Sequence, residues 1–272
     1  MNLGLAAVHR VIVGQSRDGM TRAMVDSVSL EHYKETVMTA PILITGAGQR
    51  IGLAFAQACL AKGQPVIATY RTYRPAVDAL QKAGADCIHA DFATNEGIDT
   101  FIATLMQKTD CLRAIIHNAS DWLPERDDTD PGEVMQAMMQ IHAMTPYRIN
   151  LACRGMLENN DGTSDIIHMT DFVVEKGSAK HIGYSASKAA LANLTLSFAR
   201  LLAPKVKVNS LAPSLIMFNE GDSEAYREKT LKKSLLGIEP GVGVAVQTLQ
   251  FLLDNPYITG RTLPLDGGRH LA

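Results

Sequence analysis

The stretch from Pro41 to Gly63 leaves this chain few architectures to choose from. Pro41-Ile42-Leu43-Ile44 reads as a buried strand, Thr45-Gly46-Ala47-Gly48-Gln49-Arg50-Ile51-Gly52 as a turn, and an apolar helix follows to Lys62, closed by Gly63. Glycines in such a turn let the backbone approach a pyrophosphate, and the helix N-terminus offers free N–H groups and the positive end of its dipole. Gly46, Arg50, Ile51 and Gly52 are therefore expected to hold a dinucleotide. Glycine spacing alone is weak; the strand before and the helix after give it meaning.

The same alternation continues to the C-terminus. Strands are expected at 65–70, 86–90, 112–116, 164–171, 206–211 and 263–265, separated by helices near 75–82, 96–108, 132–156, 184–202 and 243–254, with a kink in the fourth at Pro146. Seven strands alternating with helices predict an α/β fold: a single Rossmann-type doubly wound domain with a seven-stranded parallel sheet, over residues 38–272. With 272 residues, 46% hydrophobic and 20% charged, one domain can bury a sizeable core. Residues 215–240 are polar and read as a flap over a cleft, or as a solvated helical excursion. Residues 1–37 differ in character and are expected to form an N-terminal extension outside the fold. They are too acidic for a mitochondrial presequence, and Met38 stands before the first strand as an alternative start.

A formal charge of -2 with mixed signs gives no basic face for nucleic acid or an anionic membrane, so neither partner is expected. No apolar run reaches the roughly 18 residues of a membrane span, and no signal-peptide core is present, so a cytoplasmic location is expected. Cys59, Cys87, Cys111 and Cys153 lie far apart, without metal spacing, and read as reduced thiols; no metal is expected.

Open α/β sheets bind ligands at the carboxyl ends of their strands, and the candidate site residues gather there. Arg71 and Thr72 end the second strand, where an acid would hold the ribose of NAD and a base accommodates the 2′-phosphate of NADP; the cofactor expected is NADPH. Arg50 is a second cation for that phosphate or the pyrophosphate. Asp91, followed by Phe92, is placed to meet the adenine amine. Asn118, Ala119 and Ser120 follow the fourth strand, and Pro213 and Ser214 the sixth. Trp122, the single tryptophan, either stacks on a flat substrate or packs on the protein itself. Tyr184 and Lys188, four apart on a helix, point phenol and ammonium into one cleft, where the cation is expected to lower the phenol pKa.

Together these motifs resemble the short-chain dehydrogenase/reductase family from about Pro41 onward, and its pteridine reductase branch in particular. The likeness rests on the arginine-bearing turn Thr45–Gly52, on Arg71, on Asn118-Ala119-Ser120, on Tyr184 with Lys188, and on Asp171 where most members carry serine. The family's Asn, Ser, Tyr and Lys tetrad maps to His142, Asp171, Tyr184 and Lys188. A serine hydroxyl stabilises the alkoxide formed from a ketone, whereas a carboxylate repels it. Asp171 instead suits a substrate nitrogen that gains a proton, such as N5 of a dihydropterin when hydride adds to C6. His142 is open to two readings, a water-linked proton path to Lys188 or a satisfied helix histidine.

The resemblance thus implies NADPH-dependent reduction of a 7,8-dihydropterin, dihydromonapterin or dihydrofolate, with a carbonyl or 3-oxoacyl reductase and a non-catalytic dinucleotide sensor as the rivals. It implies a pterin held between the nicotinamide and Trp122, contacted by Arg50, Ser120, Asp171 and Tyr184, with Lys188 on the nicotinamide ribose. It also implies a homo-oligomer, tetrameric by analogy.

Overall fold

The computed structural model describes residues 39–272, so the expectation for residues 1–37 lies outside the described residues. Seven strands form one wholly parallel sheet in the order β3-β2-β1-β4-β5-β6-β7. They are β1 (Ile42–Ile44), β2 (Val66–Tyr70), β3 (Asp86–His89), β4 (Ala114–His117), β5 (Ser164–Met169), β6 (Val206–Pro213) and β7 (Thr262–Leu265). The helices between them begin with α1 (Arg50–Ala61), α2 (Pro75–Lys82) and α3 (Asn95–Lys108).

Both faces of the sheet are covered, which is why the central strands read as continuous apolar runs. Successive side chains point to opposite faces. Ile42 and Ile44 therefore join one cluster with Phe55 and Cys59 of α1, while Leu43 between them joins another with Phe101, Ile149 and Phe198. Each fully buried Leu, Ile or Phe contributes about 1.5–3 kcal/mol.

The strand order reverses between β1 and β4, and this opens a crevice at their carboxyl ends. Its floor is fastened by Thr45, whose hydroxyl oxygen accepts the N–H groups of Asn118 and Ala119, both at 3.0 Å. The Asn118 amide donates in return to the carbonyls of Thr45 (3.1 Å) and Gly46 (2.9 Å).

The expected helix over 132–156 is broken into pieces, and the break does not fall at Pro146. α4 (Pro131–Met139) runs into a π-turn at Gln140–Met144, followed by α5 (Thr145–Ala152) and α6 (Arg154–Glu158). The N–H of Thr145 reaches back five residues to the Gln140 carbonyl. Pro146, having no N–H, sits at the start of α5, where none is needed. The extra residue in the turn brings His142 inside, where it is 1% exposed.

After β5 come the short α7 (Val173–Lys176) and the long α8 (Ile182–Leu202), which carries Tyr184 and Lys188. The flap after β6 contains a helix, α9 (Glu224–Leu231), capped by the Ser223 hydroxyl, and α10 (Val242–Asp254) leads to β7. No helix of the described residues is long and apolar enough to cross a membrane.

Candidate active site

A cleft of about 400 Å³ runs along the carboxyl ends of the strands. Gly46, Arg50, Ile51, Arg71, Thr72 and Phe92 line it on one side, and Asn118, Ala119, Ser120, Asp171, Tyr184, Lys188 and Pro213 on the other. Gly52, Asp91, Trp122 and Ser214 do not.

Two glycines of the turn act through close packing. Gly46 has φ +67, and a Cβ there would come within 2.8 Å of the Ala119 backbone. At Gly52 a Cβ would meet the Asn118 amide nitrogen at 2.5 Å, so this glycine seats α1 against the end of β4 rather than facing a ligand. Asp91 accepts the N–H of Ala93 (3.1 Å) within its own loop and does not line the cleft. Ser214 accepts a bond from Arg269 (2.8 Å) and lines a separate, smaller cavity.

The two cations expected at the phosphates are engaged differently. Arg50, at φ 53, donates to the Asn219 side chain (2.7 Å) and the Met217 carbonyl (3.1 Å), so its polar contacts run to the flap. Arg71 pairs with Asp121 at 2.9 Å across the mouth of the cleft. Arg74, which sequence reasoning passed over, also lines the cleft and makes no side-chain hydrogen bond or ion pair within the described residues. Its signal was legible: a second base three residues after Arg71, at the start of α2.

At the other end, Asp171, Tyr184 and Lys188 meet as expected, but with a different electrostatic sense. The Tyr184 hydroxyl donates to Asp171 Oδ2 at 2.8 Å, and the Val173 N–H donates to Oδ1 at 2.8 Å. Burial first, then the Asp171 charge and hydrogen bond, raise the Tyr184 pKa above its ordinary value. The expectation of a phenol made acidic by Lys188 is therefore reversed: burial, together with a carboxylate in contact, outweighs an ammonium 5.6 Å from the ring centroid. Lys188 donates to the Met169 carbonyl at 2.7 Å, and burial pulls its pKa down to about 8, against the opposing pull of Asp171.

His142 links the two walls of the cleft. The Ser187 hydroxyl donates to the Tyr184 carbonyl (2.7 Å), so its oxygen accepts the Nδ1 proton of His142 (2.8 Å). Nε2 is then left to accept from the Ser120 hydroxyl (2.8 Å). Both ring nitrogens are satisfied, which favours the second of the two readings, and Ser120 is committed to His142 rather than aimed at a ligand. Burial, with Lys188 nearby, pulls the His142 pKa down to about 2, so the ring is neutral.

Trp122 is 60% exposed and stacks on His181, with ring centroids 4.2 Å apart. It packs on the protein at the N-terminus of α8, where the Glu125 carboxylate accepts the N–H groups of Ile182 (2.8 Å) and Gly183 (2.7 Å). Of the two readings given to Trp122, the structure shows the ring packed on the protein, with much of it still exposed.

The arrangement offers a phenol that remains a donor, a carboxylate able to support positive charge, and an ammonium close to neutrality, beside a cleft edged with arginines. Comparison with known proteins agrees. The chain is 55% identical over 232 residues to a dihydromonapterin reductase of Escherichia coli O6:K15:H31, covering 85% of this chain and 97% of that protein. It is 56% identical over 232 residues, with the same coverage, to a dihydromonapterin reductase of Klebsiella pneumoniae. Its fold is similar to the FolM alternative dihydrofolate reductase 1 of Brucella canis complexed with NADP, with a TM-score of 0.78 and 25% identity over 87% of this chain and 96% of that one. A model of the family described as short chain dehydrogenase matches residues 40–227. With the glycine turn, the parallel sheet and the Tyr184–Lys188 helix in their places, the chain belongs to the short-chain dehydrogenase family.

Proposed function

We propose that the chain is an NADPH-dependent reductase of 7,8-dihydropterins, with dihydromonapterin and dihydrofolate as substrates, working through Asp171, Tyr184 and Lys188 in a reductase domain spanning residues 38–272. The observation that carries the reading is the carboxylate of Asp171, held by Tyr184 and by the Val173 N–H at the inner end of the cleft. A negative group there opposes an alkoxide and favours a nitrogen that is gaining a proton. The relatives named as dihydromonapterin reductases support the same substrate class.

The residues present suit a phosphorylated dinucleotide. The close backbone approach at Gly46, the N-terminus of α1, and the cations Arg71 and Arg74 with the Thr72 hydroxyl form a cradle for its phosphates. When bound, NADPH supplies the hydride that adds to C6 of the pterin C=N bond. Lys188 would hold the nicotinamide ribose, and Asp171 would stabilise N5 as it takes a proton from solvent, so that hydride at C6 and this proton at N5 complete reduction of the C=N bond. Tyr184 keeps that carboxylate oriented through its hydrogen bond. The enzyme acts in the cytoplasm as a homo-oligomer.

The test is loss of the reduced-nicotinamide absorbance in a mixture of protein, NADPH and a dihydropterin, run beside a panel of ketones and 3-oxoacyl thioesters. Turnover with the dihydropterin is expected and little with the panel. Turnover with ketones alone would replace the reading by a carbonyl reductase, and NADPH binding without any turnover by a sensor.

A further inference from the structure

One side chain ties the glycine turn to the flap. Arg50 stands first in α1 and, among the described residues, is the one non-glycine with a positive φ. A side chain in this left-handed region strains the backbone, and such strain persists only where the surrounding structure holds it. What holds it here is the flap: the guanidinium donates to Asn219 Oδ1 at 2.7 Å and to the Met217 carbonyl at 3.1 Å. Among the described residues no other hydrogen bond joins residues 45–52 to residues 215–240.

The receiving side is fixed in place rather than a loose loop. Ile216 and Phe218 are buried and anchor the segment. The Ile216 carbonyl accepts the N–H of Gly241 (2.9 Å), and the Phe218 N–H donates to Glu239 (2.7 Å). The Asn219 N–H donates to Asp222 (2.8 Å), and its carbonyl accepts from Arg227 (2.8 Å). Both backbone groups of Asn219 are therefore used inside the flap, which leaves the amide oxygen of its side chain to meet Arg50. Being neutral, that oxygen orients the guanidinium without cancelling its charge, which stays available to a phosphate.

Arg50 lines one wall of the cleft, and Pro213, from which the chain runs into the flap, lines the other. We propose that Asn219 is a positioning residue that holds Arg50 as a strap between the two walls, and that the dinucleotide leaves when this strap opens. The inference rests on the reading of the cleft as the NADPH site. Asn219 touches neither the carboxylate of Asp171 nor the phenol of Tyr184, so its loss should change release of the cofactor and spare the chemical step.

The experiment compares the wild type with Asn219→Ala, Asn219→Asp, Arg50→Ala and the double variant Arg50→Ala, Asn219→Ala. Dissociation of NADPH is followed by stopped-flow fluorescence on displacement with excess NADP. In Asn219→Ala it is expected to be about fivefold faster, the scale of one lost hydrogen bond to an exposed charged group. In the Arg50→Ala background the same substitution should add less than about 1.5-fold, because the two residues act as one unit. Hydride transfer to a dihydropterin in a single turnover should stay within about twofold. In the protein without cofactor, trypsin should cut the flap faster in Asn219→Ala and in Arg50→Ala, and at nearly the wild-type rate in Asn219→Asp, which keeps an acceptor for Arg50. Unchanged dissociation in Asn219→Ala, equal acceleration in both backgrounds, or a hydride step slowed as much as release is quickened would overturn the strap and leave the NADPH site standing. A wild type that binds no NADPH would remove both.

Discussion

The Tyr184 phenol donates to the Asp171 carboxylate at 2.8 Å, while Lys188, four residues on, turns its ammonium to the Met169 carbonyl. The carboxylate thus organises the phenol, and the ammonium stands apart from it on a backbone carbonyl. This division of labour makes Asp171 the residue whose loss is most specific to the chemical step.

Replacing Asp171→Asn keeps the shape and removes the charge. We expect kcat with a dihydropterin to fall at least about 100-fold, the scale of a lost acid–base group. NADPH affinity, read by fluorescence titration, should stay within about threefold. An unchanged kcat would take the carboxylate out of the mechanism.

Lys188 governs the alkaline side. Its pKa is lowered to about 8 by burial, so the ammonium is present below pH 8 and lost as pH rises through it. NADPH binding to the free enzyme should weaken above pH 8, because a neutral amine is a poorer partner for the ribose hydroxyls. Tyr184 adds no second transition near neutrality, since its pKa is raised. Titration of NADPH between pH 6 and 10 tests this, and a flat profile would contradict it.

At the cofactor's far end, Arg71→Ala and Arg74→Ala are each expected to weaken NADPH about tenfold or more and NADH by less than about threefold, because only the 2′-phosphate distinguishes the two. Asp121→Asn frees Arg71 from its 2.9 Å ion pair and should leave NADPH affinity equal or tighter. Equal losses for both nucleotides in the arginine variants would place the phosphate elsewhere.

Acid should destabilise the fold through buried neutral histidines. Burial pulls His117 down to about 4 and His142 down to about 2, below the ordinary 6.5 expected when unfolded. Below pH 6.5 the unfolded chain therefore binds more protons than the folded one, so stability falls as pH drops from 6.5 toward 4. Each histidine accounts for roughly 2 kcal/mol between pH 7 and pH 5. Urea unfolding at the two pH values measures the loss, and unfolding free energies that coincide would show that these rings are protonated in the fold.

What the sequence determined by itself was everything local or periodic. Alternate residues of Ile42-Leu43-Ile44 go to opposite faces of the sheet, so the apolar run already specifies a strand buried on both sides. The turn from Thr45 to Gly52 specifies the approach for phosphates, and the four-residue spacing of Tyr184 and Lys188 puts both on one face of α8. Such features depend on neighbours a few residues away, and strand, turn and helix chemistry encodes them directly.

Only the tertiary structure decided where the long side chains ended up. Arg50 reaches Asn219, Arg71 reaches Asp121, Trp122 stacks on His181, and His142 joins Ser120 to Ser187. These partners lie between 22 and 169 residues apart, and His142 is brought inside by the π-turn at Gln140–Met144, which no periodicity announces. The sign of the Tyr184 shift was decided in the same way, because it depends first on burial and then on the Asp171 carboxylate in contact, and chain order records neither.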